Sequence, residues 1–240
     1  MKLYVLGCMG PYPEKDKALS GYLVETNNAK VLLDCGNGVL ARLQKYIDLN
    51  ELDAVILTHL HADHMSDILV MRYYCAVQNQ KLDVYMPQED SLEYNLISSE
   101  PNFNIINIEP GKQYRIKDLN FDFVEMVHPK KCFGVKITDG QGVLAYTGDT
   151  MLNPNLDVLT NGADLVLMDC AFPSVIHKPE TPHMSLAQAA QYAKNKPFKL
   201  LVTHIIPKTD ITNELKKLGL ERVFQGDIYE ISAQGFKLLD

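Results

Sequence analysis

The sequence has no apolar stretch long enough to cross a membrane and no segment rich in glycine and serine that would link separate domains. Its first apolar run, at 2–6, is short and is soon followed by glycines and prolines, unlike the apolar part of a secretory signal. The five cysteines are scattered and form no Cys-x-x-Cys pair. We therefore predict a cytoplasmic protein with reduced thiols and no membrane partner.

An excess of positive charge is also missing. The net charge of -7 at pH 7 argues against nucleic-acid binding driven by bulk charge, although a local basic site stays open. With 240 residues, of which 46% are hydrophobic and 22% charged, the chain can bury a sizeable core. Because no break in composition is visible, we predict one domain over residues 1–240.

Short strand-like runs and helical patterns alternate along the chain. The strand-like runs lie at 2–6, 21–25, 31–34, 54–58, 82–86, 121–127, 134–138, 142–147, 165–168 and 200–203. Apolar residues recur at helical spacing over 40–47, 68–77, 186–193 and 211–218. Consecutive strands flanked by helices in both halves predict two packed sheets with helices outside, an α+β fold.

Residues 58–64 read T-H-L-H-A-D-H and directly follow an apolar run. On extended backbone, the side chains of His59 and His61 point the same way, and we expect Asp63 and His64 to follow in a turn. This places two imidazoles at one point and a carboxylate with an imidazole at a second. Such an arrangement suits a pair of divalent cations, each with an open position.

Three further candidates each stand where a predicted strand ends. They are His128, Asp149 and His204. A single polar residue at a strand end has an ordinary structural explanation. Because corresponding strand ends of packed sheets can converge on one edge, the three together strengthen the metal hypothesis.

The motif at 58–64, followed in order by His128, Asp149 and His204, resembles the pattern of the metallo-beta-lactamase superfamily across nearly the whole chain. The stretches L-G-C-M-G at 6–10 and L-L-D-C-G at 32–36 match as well. The resemblance implies a four-layer αββα sandwich with a two-metal site on one edge. It also implies that His59, His61 and His128 hold one metal. Asp63, His64 and His204 would hold the other, and the carboxylate of Asp149 would bridge the two.

A finer resemblance is to the ribonuclease Z branch and its small phosphodiesterase relatives. It rests on D-C-A-F at 169–172 and H-M-S at 183–185, where Asp169 replaces a glutamate and Met184-Ser185 replaces Ser-Thr. Asp149 and His183 are only 34 positions apart, which leaves no room for the long tRNA-gripping arm of that branch. We therefore expect no binding of whole tRNA. A homodimer is what the relatives suggest.

These resemblances imply a phosphodiesterase that acts on a small nucleotide, an RNA end or a phosphorylated metabolite through a metal-bound hydroxide. Asp63 would orient the attacking water, and His183 would stabilise developing charge or protonate the leaving oxygen. Asp169 would hold the imidazole of His183 in orientation. The alternative for His183 is that it merely precedes the capping box that Ser185 begins.

Other interpretations stay open. The chain can be a hydrolase of a thioester, lactone or beta-lactam, a di-iron redox protein of the same fold, or a non-catalytic metal-binding protein. Mixed histidine and aspartate ligands favour zinc, with manganese or iron as alternatives. Asp34 is predicted to support the histidine loop through hydrogen bonds, or else to be a plain turn carboxylate. Gly7, Gly10, Gly36 and Gly38 are expected to permit tight backbone near the site, with ordinary turns as the alternative, and His177 is expected to be exposed.

Overall fold

The computed structural model describes residues 1–233 and 235–239, which form two β-sheets packed face to face. Its strands in chain order are β1 Lys2–Gly7, β2 Gly21–Glu25, β3 Lys30–Leu33, β4 Ala54–Ile56, β5 Leu82–Met86, β6 Phe103–Asn107, β7 Gln113–Ile116, β8 Leu119–Met126, β9 Cys132–Thr138, β10 Val143–Tyr146, β11 Leu165–Asp169, β12 Lys199–Thr203, β13 Glu221–Arg222, β14 Ile228–Ser232 and β15 Gly235–Leu239. Within this part of the chain, the first sheet has the order β15-β14-β1-β2-β3-β4-β5-β6 and the second β13-β12-β11-β10-β9-β8-β7.

The helices cover the outer faces of the two sheets. They are α1 Val39–Leu43, α2 Ala62–Met65, α3 Ile68–Gln78, α4 Leu92–Ser98, α5 Asn155–Thr160, α6 Leu186–Ala193 and α7 Thr212–Leu218. Helices α1, α3 and α4 bury apolar side chains against the outer face of the first sheet, and α5, α6 and α7 do so against the second. Successive side chains along a strand point to opposite faces of the sheet. In β3, Leu32 faces the helices and Leu33 faces the other sheet. The predicted αββα sandwich is confirmed.

Strand direction explains where polar side chains gather. Strand β8 is antiparallel to β9, which is antiparallel to β10, and β10, β11 and β12 are parallel. The carboxyl ends of β8, β10, β11 and β12 therefore lie on one edge of the second sheet. The loops after these strands carry His128, Asp149, His183 and His204 to that edge.

Two details of the histidine motif differ from the prediction. Strand β4 ends at Ile56, so His59 and His61 lie in the loop beyond it and not on the strand. The chain leaves the sheet there because the N–H of Thr58 donates to the Asp34 side chain, over 2.8 Å, and not to a neighbouring strand. Asp63 and His64 lie in helix α2, where a turn was predicted.

No helix in the described part of the chain combines the length and the apolar character that a membrane crossing requires.

Candidate metal centre

All seven predicted ligands meet at one rim of the sandwich. Three groups of four side chains each offer donor atoms that lie within 4.8 Å of one another, and the third group consists of Asp149, Asp169, His183 and His204. The first ligand set is His59, His61, His128 and Asp149, and the second ligand set is Asp63, His64, His204 and Asp149. Asp149 belongs to both sets, as a bridging carboxylate would.

In the first ligand set, three imidazole nitrogens converge. Nδ1 of His61 lies 3.0 Å from Nε2 of His59 and 3.0 Å from Nε2 of His128. Asp149 Oδ2 lies 3.7 Å from the first of these Nε2 atoms and 4.0 Å from the second. Nδ1 of His61 can form a good hydrogen bond with only one of these two Nε2 atoms. The other Nε2 atom lies equally close without a proton to share, so it needs another partner.

In the second ligand set, carboxylates and imidazoles alternate. Nε2 of His204 lies 3.0 Å from Asp63 Oδ2 and 3.5 Å from Asp149 Oδ2. Nε2 of His64 lies 3.2 Å from Asp149 Oδ1. Nitrogen and oxygen donors are thus mixed around one point, which is the chemistry that zinc and related divalent cations prefer.

Two glycines let the backbone pass very close to the candidate ligands. A Cβ on Gly10 would lie 2.0 Å from His204 Nε2, and a Cβ on Gly36 would lie 2.1 Å from the carbonyl oxygen of Asp63. Because real side chains never approach so closely, only glycine lets these segments pass beside the two ligands. The expectation that Gly10 and Gly36 permit tight backbone at the site is confirmed.

Hydrogen bonds at the far side of the rings orient several ligands. Nδ1 of His64 donates to Asp34 Oδ2 over 2.7 Å, as predicted for Asp34, and the Tyr146 hydroxyl donates to the same oxygen over 2.8 Å. Nδ1 of His128 donates to the Pro182 carbonyl over 3.1 Å. In both histidines Nε2 is thereby left for the site. Sequence reasoning missed Tyr146 and Pro182, which no motif marks.

The electrostatics of the first ligand set keep its histidines neutral. Burial lowers the pKa of His59 well below its usual value and also lowers the pKa of His61. Burial lowers the pKa of His128 to about 4, against the opposing charge of Asp149. Neutral imidazole is the form that binds metal, so these side chains are in the ligating form at neutral pH.

In the second ligand set the charges are paired. Although burial opposes it, the neighbouring charges of His204 and His64 hold the pKa of Asp149 well below its usual range. Burial likewise opposes ionisation of Asp63, but the hydrogen bond from His204 lowers its pKa. Burial lowers the pKa of His64, yet the carboxylates of Asp149 and Asp34 outweigh it and raise that pKa well above the ordinary value.

Buried polar atoms without partners show what the cluster fits. Within the described residues, His64 Nε2 and Asp149 Oδ1 are buried and lie 3.2 Å apart, but they do not meet the geometry of a hydrogen bond with each other or with any other group. Such an arrangement is costly without a further partner, and both atoms belong to the second ligand set. Together with the crowded nitrogens of the first set, they fit a pair of divalent cations.

His183 and Asp169 stand beside both ligand sets. His183 Nδ1 donates to Asp169 Oδ2 over 2.9 Å, and its ring stacks on His204 with centroids 5.1 Å apart. The Asp169 carboxylate also accepts from the N–H groups of Thr150 and Ala171. Although burial opposes it, the Asp169 charge raises the pKa of His183 to about 9, which favours the protonated imidazole.

The loop around His183 is held in place at two points. Ser185 and Gln188 form the predicted capping box at the start of α6. His177 was expected to be exposed, but this is wrong: it is half-buried, and its Nε2 donates to the His183 carbonyl over 3.0 Å. The loop from His177 to His183 therefore folds back on itself, and the spacing of residues in the sequence does not indicate this contact.

Known proteins of several kinds are similar to this chain. Residues 29–205 match the sequence model of a family described as a beta-lactamase superfamily domain. The chain is 29% identical to the probable metallo-hydrolase YhfI of Bacillus subtilis, over 98% of both chains. The crystal structure of YhfI, a metallo-beta-lactamase fold protein, has a TM-score of 0.89 at 28% identity and covers 95% of this chain and 97% of its own.

Two more distant structures share the fold. Human tRNase Z, short form, has a TM-score of 0.78 at 17% identity and covers 96% of this chain and 99% of its own. A diphosphatase from the PhnP family has a TM-score of 0.75 at 18% identity and covers 96% of this chain and 98% of its own. At these identities the similarity concerns the fold alone.

Proposed function

The chain belongs to the beta-lactamase superfamily, and from this premise we propose that it is a phosphodiesterase with a dinuclear metal site. The metal-dependent hydrolase class follows from the family and from the similarity to a probable metallo-hydrolase. Two proteins with the same fold are named a tRNase and a diphosphatase, and both names refer to bonds at phosphorus. These names support a phosphorus substrate for this chain.

The observation that carries the proposal is the His183–Asp169 pair. It places a cationic imidazole against His204 and within 3.8 Å of Asp149, at the edge of both ligand sets. A phosphodiester carries a negative charge through its hydrolysis and gains charge on the leaving oxygen. A fixed cation is therefore matched to this substrate, whereas a neutral thioester or lactam needs it less.

Each metal has a distinct group of candidate ligands. We assign His59, His61 and His128 to one metal, Asp63, His64 and His204 to the other, and Asp149 to both. When bound, the two cations would supply Lewis acidity and lower the pKa of a coordinated water. Zinc suits this mixed nitrogen and oxygen donor set best, with manganese or iron as alternatives.

The chain's own residues then orient the reactants and move a proton. Asp63 orients the attacking water from its place in the second ligand set. Because Nδ1 of His183 is engaged by Asp169, Nε2 is the atom that donates a proton to the leaving oxygen. Asp169 is itself fixed by two backbone N–H groups, so it keeps the ring in this orientation.

The size of the substrate is limited by what lies between Asp149 and His183. This segment contains only α5, β11 and their connecting loops, all of which the structure describes. No extended arm is present there to hold a whole tRNA. We therefore propose a small nucleotide, an RNA end or a phosphorylated metabolite as substrate.

A substrate panel tests the proposal. Purified protein loaded with zinc, manganese or iron is assayed with bis-p-nitrophenyl phosphate, a thioester and nitrocefin, and a chelator-treated sample serves as the control. We expect metal-dependent hydrolysis of the phosphodiester above the other two. Faster turnover of the thioester or of nitrocefin would overturn the proposal, and a coloured iron protein without hydrolysis would favour redox chemistry.

A further inference from the structure

A cavity of about 220 Å³ lies beside the metal centre. Its walls come from three segments: the loop after β1, the loop after β12, and the end of β13 with the turn that follows it. Its lining includes three basic side chains, Lys17, Lys208 and Arg222, and one acidic side chain, Glu14. We call this cavity the basic pocket. An excess of cations is unusual here because the chain as a whole carries a net charge of -7.

The three cations of the basic pocket are available to a ligand. Across residues 1–233 and 235–239, none of them forms an ion pair with a carboxylate, whereas many other lysines do. The Nε of Arg222 donates to the Val223 carbonyl, and its guanidinium lies over the Phe224 ring at 4.8 Å. The remaining N–H groups of this guanidinium have no carboxylate partner in the described chain.

The single acidic side chain offsets only part of this charge, because one carboxylate stands against three cations. Glu14 is also held at the wall of the pocket, where its Oε1 accepts a hydrogen bond from the backbone N–H of Lys208 over 2.6 Å. Cys8 also lines the pocket. Burial raises the pKa of its thiol, the charges of Arg222 and Lys17 oppose the shift and the charge of Asp227 adds to it, so the thiol is neutral.

Hydrogen bonds between the segments fix the shape of the pocket. Gln225 accepts from the N–H of Ala18 over 2.8 Å and donates to the Asp16 carbonyl over 3.3 Å. The hydrogen bond between Glu14 and Lys208 joins the loop after β1 to the loop after β12. The basic side chains therefore project from backbone segments that are already tied together, which lowers the entropic cost of binding.

The basic pocket and the metal centre share one wall. The N–H of Ile205 donates to the Cys8 carbonyl over 3.2 Å, and the N–H of Gly10 donates to the Ile205 carbonyl over 3.4 Å. Gly10 packs directly on the imidazole of His204, the residue before Ile205. A ligand in the pocket thus lies one backbone layer away from a candidate metal ligand.

We propose that the basic pocket binds a phosphate group. A phosphate offers several charged oxygens that can accept from a forked guanidinium and two ammonium groups at once. The group belongs either to a second phosphate on the substrate or to a separate phosphorylated effector. Binding itself does not depend on which bond the metal centre hydrolyses.

The test is a titration of the full-length, chelator-treated protein with inorganic phosphate, followed by calorimetry. We expect phosphate to bind about tenfold more weakly to Lys17→Glu, and to Arg222→Gln, than to the parent, a loss of about 1.4 kcal/mol for each. Lys15→Glu is the matched control, because Lys15 is exposed in the same loop but does not line the pocket. Circular dichroism checks folding, and Lys208→Glu replaces Arg222→Gln if that variant does not fold.

Two results would overturn the proposal. One is no binding of phosphate, or equal binding by all variants. The other is a loss in Lys15→Glu as large as in Lys17→Glu, which would indicate general surface charge only.

Kinetics then separates the two sources of the phosphate. If Lys17→Glu raises KM for a phosphodiester that carries a second phosphate group but not for bis-p-nitrophenyl phosphate, the substrate supplies it. If both KM values are unchanged while phosphate binding is lost, a separate effector supplies it. A protein that binds phosphate but hydrolyses no phosphodiester would contradict the proposed function but not the proposal that the basic pocket binds phosphate.

Discussion

The carboxylate of Asp34 accepts a hydrogen bond from Nδ1 of His64 over 2.7 Å. Asp34 follows β3 of the first sheet, and the same oxygen accepts from Tyr146, at the end of β10 in the second sheet. A single buried carboxylate therefore links a candidate metal ligand to both halves of the sandwich. The orientation of His64 is fixed by the core and not by its own loop.

This link predicts the effect of Asp34→Asn. The amide has one acceptor oxygen and an NH2 group that would face donors from His64, Thr58 and Tyr146. We expect the affinity of the second ligand set for zinc to fall about 10- to 100-fold, as for other partners of metal-bound histidines. Competition with a chromogenic chelator measures it. Asp118→Asn, at a turn carboxylate bonded to Thr26 and Asn28, is the control, and equal affinities in both variants would refute the role of Asp34.

Gly10→Ala should prevent metal binding by the second ligand set, because the added methyl group displaces His204. The new methyl group would lie 2.0 Å from His204 Nε2, so either the imidazole or the loop must move. Gly162→Ala is an informative control: its backbone has a φ of 73° and no atom lies within 4 Å of the added carbon. We expect that control to lose about 1 kcal/mol of stability and keep its metal, whereas Gly10→Ala loses metal. Normal metal content in Gly10→Ala would contradict the geometry.

The pH behaviour of His183 follows from its contact with Asp169. In chelator-treated protein we expect its imidazole to titrate with a pKa of about 9, because the carboxylate outweighs the effect of burial. An unfolded histidine titrates near pH 6.5, so this pair stabilises the fold fully below about pH 6.5 and ceases to do so as the pH rises through about 9. NMR of the ring protons measures the pKa. Asp169→Asn should lower it, and a parent value at or below 6.5 would refute the pairing.

Replacing His183 should lower turnover without removing metal. We expect His183→Ala to reduce kcat for a phosphodiester by about 10²- to 10⁴-fold at saturating metal, the usual contribution of a general acid. Metal content should stay that of the parent, because His183 is assigned to neither ligand set. A substrate with a better leaving group needs less protonation, so its kcat should fall less. Unchanged kcat with intact metal content would remove His183 from the mechanism.

The sequence identifies three of the candidate ligands, His128, Asp149 and His204, because each follows a strongly apolar strand, and it identifies the other four by their crowding within residues 59–64. His128 and His204 are clear examples, since β8 and β12 have patterns that indicate strands without tertiary information. Helix α2 was predicted as a turn because four residues carry too little periodic signal to identify a helix. Strands β6 and β7 were missed for a similar reason, as they are short and partly exposed.

Other features depend on contacts between distant parts of the chain. Tyr146 reaches Asp34 across the interface of the two sheets, and its sequence neighbours do not reveal that direction. The basic pocket joins Lys17 and Lys208, which lie in loops, and Arg222, which ends the short strand β13, and no recognisable motif marks any of the three. Such sites follow from how the sheets pack, which local patterns do not encode.

Asp149 is the residue shared by the two ligand sets, so the positions of the cations relative to it decide whether the site is dinuclear. Crystals of the zinc-loaded protein, measured on both sides of the zinc absorption edge, locate the ions. We predict two anomalous peaks, one within the first ligand set and one within the second, with Asp149 contacting both. A single peak, or two peaks that Asp149 does not join, would refute a dinuclear site bridged by Asp149.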